Sequence, residues 1–246
     1  MNFIKKIAVV AFLLIGLLSQ AQEGLLSYGV QFKPMVPFKY FNPPSTIGSE
    51  GYSTTFSSRL GHSFGMVVRR GFTNTIAMEF GINHVRRNFN ISLDTLTGGQ
   101  IDKSNFGFVS YEIPVQLLFY VRLFENIYMN GASGLSVNFF ASSVESNGEN
   151  ELIRHFSAKT RWADMALISN VGFEYRTEEK GFFYLGSSFH LPFHTITESS
   201  VRYDDGSQNI RFIHNLRGTY FTLDLRYFFK EHTKPVEKSE KKKKKK

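Results

Sequence analysis

The clearest pattern along this chain is alternation of apolar and polar residues with a period of two. In the segment 111–123, YEIPVQLLFYVRL, the odd positions are Tyr111, Ile113, Val115, Leu117, Phe119, Val121 and Leu123, and the even positions include Glu112, Gln116, Tyr120 and Arg122. A segment with one wholly apolar face and one mixed face is a strand. Its thirteen residues are about twice the usual strand length in a soluble protein and close to what crosses a bilayer at a tilt. Eight runs of this kind occur, at 25–33, 59–70, 75–87, 111–123, 127–139, 162–176, 182–196 and 219–229. In the third, for instance, Ile76, Met78, Phe80 and Ile82 alternate with Ala77, Glu79, Gly81 and Asn83.

The connections alternate too. Short links at 71–74, 124–126 and 177–181 alternate with long polar ones at 34–58, 88–105, 140–161 and 197–218. Short periplasmic turns and long outer loops are the habit of an outer-membrane barrel. The expectation is an all-β fold, an eight-stranded antiparallel up-and-down transmembrane β-barrel, with its C-terminus in the periplasm. A soluble ligand-binding barrel would share the alternation with the apolar side turned inward. Volume decides: roughly forty bulky apolar side chains cannot enter an interior that side chains of eight strands just fill. The apolar phase therefore faces lipid, and the Gly, Ser, Ala and Asn of the other phase line a narrow lumen. Aromatic residues near strand ends are expected at two interfacial belts, Tyr227, Phe229, Tyr175, Phe119 and Phe183 at one and Phe108, Phe139, Trp162 and Phe193 at the other.

The termini sharpen the address. Lys5 and Lys6 precede an apolar run at 7–18, with Ser19 and Ala21 spaced as a cleavage site, so 1–21 reads as a signal peptide, 22–229 as the barrel and 230–246 as a lysine-rich tail. The formal charge of +8 belongs to the signal (+2) and the tail (+6), and 22–229 is left neutral. The basic balance therefore gives no support to nucleic-acid binding. The block Lys241, Lys242, Lys243, Lys244, Lys245 and Lys246 suits electrostatic contact with anionic lipid or peptidoglycan. There is no cysteine, which excludes disulfides, thiol catalysis and thiolate metal sites.

Candidate chemistry lies in the inward phase. Glu79, Arg122, Glu174, Arg176, Asp224 and Arg226 fall within about five residues of the short-turn rim, and buried charges must be paired, so they are expected to form a salt-bridge network closing the lower lumen. His190 and His194 lie about 13 Å apart on a strand, too far for one metal ion. Ser188 and His190 share a face, as do the Ser and His of outer-membrane lipid A deacylases, but in reversed order and with no carboxylate placed beside them by the sequence. No metal or other cofactor is implied. His62 and His84 fall in the lipid phase, with the outer rim expected for His84; Pro114 and Pro192 interrupt strands, and a bulge is expected at each. Tyr40, Phe41, Arg154 and His155 are expected to point outward from the loops.

The run YEIPVQLLFYV at 111–121, the ending GTYFTLDLRYFF at 218–229 and the Ala21-Gln22 junction resemble the outer-membrane β-barrel domain common in Bacteroidota, the PorT-like group. The resemblance implies an envelope barrel surrounded by outer-membrane lipid, with secretion- or adhesion-associated roles among its relatives. It also implies that Asp94-Thr95-Leu96 matches the glycosylation tripeptide of that phylum. Three functions follow: a non-enzymatic structural or partner-binding barrel contacting other envelope proteins through its outer loops, a narrow pore or small-solute conduit, and a lipid-modifying enzyme.

Overall fold

The computed structural model describes residues 26–37, 40, 43–177 and 179–230. The expected signal peptide, Phe41 and the block Lys241–Lys246 lie outside them. Thirteen strands occur among the described residues: β1 (Leu26–Val36), β2 (Ser45–Ser49), β3 (Tyr52–Gly71), β4 (Ile76–Thr95), β5 (Gln100–Arg122), β6 (Ile127–Phe140), β7 (Val144–Asn147), β8 (Ile153–Lys159), β9 (Ala163–Thr177), β10 (Gly181–Pro192), β11 (Thr197–Asp204), β12 (Asn209–Leu216) and β13 (Tyr220–Phe228). Eight of them, β1, β3, β4, β5, β6, β9, β10 and β13, pair antiparallel in chain order, and β1 bonds both β3 and β13, so the sheet closes into an up-and-down barrel. Closure leaves no edge strand with unpaired backbone groups, a requirement for crossing a bilayer.

The barrel exterior is apolar, as the volume argument requires. Phe32, Phe64, Met66, Ile82, Val115, Leu117, Phe119, Phe173, Leu185 and Leu225 are all exposed, while Gln31, Lys33, Ser63, Glu79, Asn83, Glu112, Gln116, Asn130, Asn170 and Asp224 are buried inside. Small residues make room in the lumen. The Tyr184 hydroxyl lies where a Cβ on Gly172 or Gly186 would collide with it.

The expected long loops are largely folded. β3, β4 and β5 run past the barrel, β2 extends β3, and β7, β8, β11 and β12 form a four-stranded sheet. Together they build a lobe above the barrel, with the short turns drawn at the bottom. Its core holds fourteen buried residues, among them Phe56, Phe89, Ile91, Leu93, Phe106, Phe108, Ile153, Val201 and Phe212. Each buried aliphatic or aromatic side chain of this size stabilises by about 1.5–3 kcal/mol.

Several expectations need correcting. The segments 88–105, 140–161 and 197–218 contain strand rather than loop alone, because alternation persists there with its polarity reversed: Phe89, Ile91 and Leu93 point in, and Asn88, Asn90 and Ser92 point out. Phe108 is fully buried in the lobe core instead of lying in an aromatic belt, and His155 is buried while its neighbour Arg154 is exposed. No register shift occurs at either proline. Pro114 pairs with Ser136 in an unbroken ladder to β6, and Pro192 ends β10 opposite Ala166. Register shifts lie elsewhere, one between β4 and β5 at Leu93/Asp94 in the lobe and one between Arg59 and His62, where β3 gains one residue against β4. Asn88 donates its side-chain amide to the Leu60 carbonyl at that point, 2.8 Å away. The extra residue switches the inward phase of β3 from Thr54 and Phe56 to Ser63, Val67 and Arg69. His62 and His84 stay outward just below it, 6.5 Å apart, with the His84 ring stacked on Phe64.

Candidate functional site

The barrel interior carries a continuous chain of charge. Arg176 contacts Glu174 (2.6 Å), Glu174 contacts Arg69, Arg69 contacts Glu79 (3.0 Å), Glu79 contacts Arg226, Arg226 contacts Asp224 (2.6 Å), and Asp224 contacts Lys33 (3.4 Å). Signs alternate at every step. All but Arg176, which is half-exposed at the short-turn end, are buried. Arg69 on β3 and Glu174 on β9 stand on diametrically opposite strands, so their ion pair spans the lumen. A charged group this far from water is tolerated only when paired and hydrogen-bonded, and these contacts supply both.

Rings fill the space between the charges. The Arg69 guanidinium lies 3.9 Å from the Phe228 ring centroid, Arg226 lies 4.7 Å from Tyr184, and Arg176 lies 4.1 Å from Tyr128. Such cation–π contacts favour a guanidinium stripped of water.

A second layer lies nearer the lobe. Glu112 on β5 accepts from Tyr220 (3.2 Å) on the opposite strand β13, contacts His190 (3.0 Å), and accepts from Asn83 (3.1 Å), which in turn accepts from Gln31 (2.6 Å). The His190 ring stacks on Tyr220 at 4.2 Å. Glu112 is thus the carboxylate that the sequence did not place beside His190. Ser188, however, donates to Asp224 (2.6 Å) and accepts from Asn170 (2.8 Å). The hydroxyl is held by an acid and an amide, with no hydrogen bond to His190, so the nucleophile–base contact of acyl transfer is not assembled.

Of the six charges singled out in the sequence, the structure brings together Glu79, Glu174, Arg176, Asp224 and Arg226. Arg122 stands apart: it is exposed at the barrel mouth and donates to the carbonyls of Phe124 and Glu125 in the adjoining turn. Being the last residue of β5, it reaches water and turn carbonyls more readily than the lumen. The sequence reading left Lys33, Arg69 and Glu112 out of its network, and it weighed His190 only beside Ser188 and His194. Arg69 lies two residues from the turn in the inward phase, so the rule that selected the others selects it as well. Among the described residues no three His, Asp or Glu side chains gather as a metal site.

Two openings approach this interior. A mouth of about 740 Å³ at the short turns is lined by Ser27, Arg69, Tyr120, Arg122, Tyr128 and Arg176, and it stops at the charge chain. At the upper end a cleft of about 950 Å³ lies where barrel strands break into lobe strands, bordered by Thr160, Arg161, Phe193, His194 and Arg217. There His194 contacts Asp164 at 2.7 Å. No member of the charge chain lines this cleft.

The lobe carries its own buried polar contacts. His214 on β12 bonds Ser45 (3.0 Å) and Thr54 (2.8 Å), stitching the lobe where β12 faces β2 and β3 without a backbone ladder. His155 bonds Ser146 (3.0 Å) and Ser157 (2.6 Å). Burial pulls both imidazoles down to about 4, since removal from water penalises the charged form.

Comparison with known proteins agrees with this architecture. OprG from Pseudomonas aeruginosa, an outer membrane protein, superposes with a TM-score of 0.51 at 13% identity, over 84% of this chain and 96% of that one. Ail, the attachment invasion locus protein of Yersinia pestis, gives 0.38 at 12% identity over 85% and 100%. The outer membrane protease OmpT from Escherichia coli gives 0.36 at 11% identity over 83% and 95%. No curated protein matches the chain. The family model described as outer membrane protein beta-barrel domain matches residues 23–198, and with a closed barrel, an apolar exterior and a charged lumen behind that match, the chain belongs to the outer membrane protein β-barrel domain family.

Proposed function

We propose that this protein is a non-enzymatic outer-membrane barrel that passes no solute and uses its lobe as a partner-binding platform, with the lobe outside the cell and the short turns and C-terminus in the periplasm. The observation that carries the reading is the alternating chain from Arg176 to Lys33, in which Arg69–Glu174 joins diametrically opposite strands and Glu79–Arg226 joins strands three apart around the barrel, so that charge spans the lumen. A conduit through it would require separating buried charges, each separation leaving an ion unpaired at several kcal/mol, about 3–5 for a typical buried pair. The engagement of Ser188 by Asp224 supports the absence of acyl-transfer chemistry. The folded apolar core of the lobe supports a rigid presenting surface, because binding residues are best held on built elements.

Planar-bilayer recording tests closure. The wild type should show no stepwise conductance, and steps that persist in purified protein would refute it. Orientation is tested in intact cells with an impermeant maleimide, since the natural chain has no cysteine. Thr97→Cys at the lobe tip should label and Glu125→Cys at a short turn should not; the reverse pattern would refute the assignment.

A further inference from the structure

The lobe sheet places like charges directly opposite one another. In the register of β7, β8, β11 and β12, Asn147 faces Arg154, Arg154 faces Arg202, and Arg202 faces Arg211. All four side chains are exposed on the outer face. Like charges in directly opposed cross-strand positions destabilise a sheet, and here three arginines occupy three adjacent strands. Among the described residues no ion pair joins any of them to a carboxylate. The nearest acid on the same face of β11, Asp204, accepts from the Gly206 amide of its own hairpin. Arg211 is oriented by a 2.8 Å bond to Ser200, which leaves the other guanidinium edges turned outward. The next row on the same face runs Glu145, Phe156, Ser200 and Ile213, so it brings Phe156 and Ile213, 44% and 45% exposed, to either side of Ser200 and leaves one exposed carboxylate, Glu145, at its β7 end.

We propose that this row binds an anionic oligosaccharide carrying sulfate or phosphate groups. Guanidinium forks match such tetrahedral oxyanions in bidentate geometry. Adjacent strands lie about 4.8 Å apart, so the three arginines spread over roughly 10 Å, the span of a few sugar units. Phe156 and Ile213, one on each side of Ser200, offer two apolar faces against which sugar rings pack. The occupant is a saccharide rather than a nucleic acid because residues 22–229 are neutral overall. The positive potential is therefore one short row, without the extended basic track that a polynucleotide backbone needs. The cost of opposed like charges is then offset when the ligand is bound. This inference rests on the lobe being the partner-binding end, and its test is independent of closure: bilayer conductance can refute the closed barrel whatever the lobe binds.

The test uses the full-length protein in detergent micelles at about 0.15 M salt, where long-range attraction between exposed charges is screened. Fluorescent dextran sulfate is the probe, with uncharged dextran and a single-stranded oligonucleotide as comparisons. Wild type should bind dextran sulfate and ignore dextran. Arg202→Glu should weaken binding at least tenfold, whereas Arg161→Glu, equal in charge change but outside the row, should weaken it less than threefold. Arg202→Gln should also weaken binding while leaving the thermal midpoint equal to or above that of the wild type, which separates lost binding from lost folding. Unchanged binding by Arg202→Glu, equal loss in Arg161→Glu, or oligonucleotide binding as tight as dextran sulfate and equally dependent on Arg202 would each overturn the proposal.

Discussion

β4 and β5 run through both halves of the molecule, and the two halves obey opposite rules. On β5 the inward side chains are Ser110, Glu112 and Gln116 in the barrel but Phe106 and Phe108 in the lobe. The outward ones are Tyr111, Ile113 and Val115 below and Lys103 and Asn105 above. The backbone phase never changes along this strand; only the chemistry of its two faces is exchanged. β4 makes the same exchange between His84 and Arg86. A strand is amphipathic toward whatever solvent surrounds it, so the exchange marks where hydrocarbon gives way to water. The barrel is held from inside by ion pairs and the lobe by apolar contact.

That contrast can be broken most severely from the inside. Glu79 joins Arg69 and Arg226, so Glu79→Ala leaves two buried guanidiniums short of their counter-charge and should cost about 3–5 kcal/mol, read as a lower urea midpoint in vesicles. Replacing an outward residue sharpens the difference. Val115→Arg should cost about 2–4 kcal/mol because the position faces hydrocarbon, whereas Asn90→Arg, outward on β4 in the lobe, should stay within about 0.5 kcal/mol, as surface substitutions do; the same unfolding assay compares them.

Acid separates the halves in a third way. With His155 and His214 held at about 4 against an ordinary 6.5, the unfolded lobe binds protons in that interval that the folded lobe does not. Lobe stability should be full above about pH 6.5 and decline as the pH falls toward 4. Fluorescence of Trp162, the single tryptophan, which stands 5.7 Å from Phe139 beside the lobe junction, should report a lobe transition whose urea midpoint drops over this range. His214→Gln should flatten the slope. The smallest effect is expected at the mouth: Arg122→Ala removes only exposed contacts and should change stability by about 0.5 kcal/mol or less, against several for Arg69→Ala in the same assay.

The barrel was readable in the sequence because lipid-facing strands put bulky residues in one phase over a dozen positions, as 111–123 does. The lobe strands were equally periodic but with the opposite sense. Asn88, Asn90 and Ser92 looked like loop composition until Phe89, Ile91 and Leu93 were seen to share a buried face. Phase also found most of the charge chain, since Glu79, Glu174, Asp224 and Arg226 are all inward. It could not show which strands stand opposite across the lumen, and so it did not pair Arg69 with Glu174 or Glu112 with His190. That information lies in closure, a property of the whole sheet. Phase was least useful at strand ends, where Arg122 has the inward parity but reaches water.

The central claim is the exchange of faces along one continuous strand, and spin-label accessibility along β5 tests it most directly. Single cysteines placed one at a time from 103 to 117 and spin-labelled would be examined in lipid bilayers for collision with oxygen and with a water-soluble nickel chelate. Labels at Ile113, Val115 and Leu117 should respond to oxygen, labels at Lys103 and Asn105 to nickel, and labels at Phe106 and Phe108 to neither. Oxygen dominance at Lys103 and Asn105, or free nickel access at Phe106 and Phe108, would contradict the account.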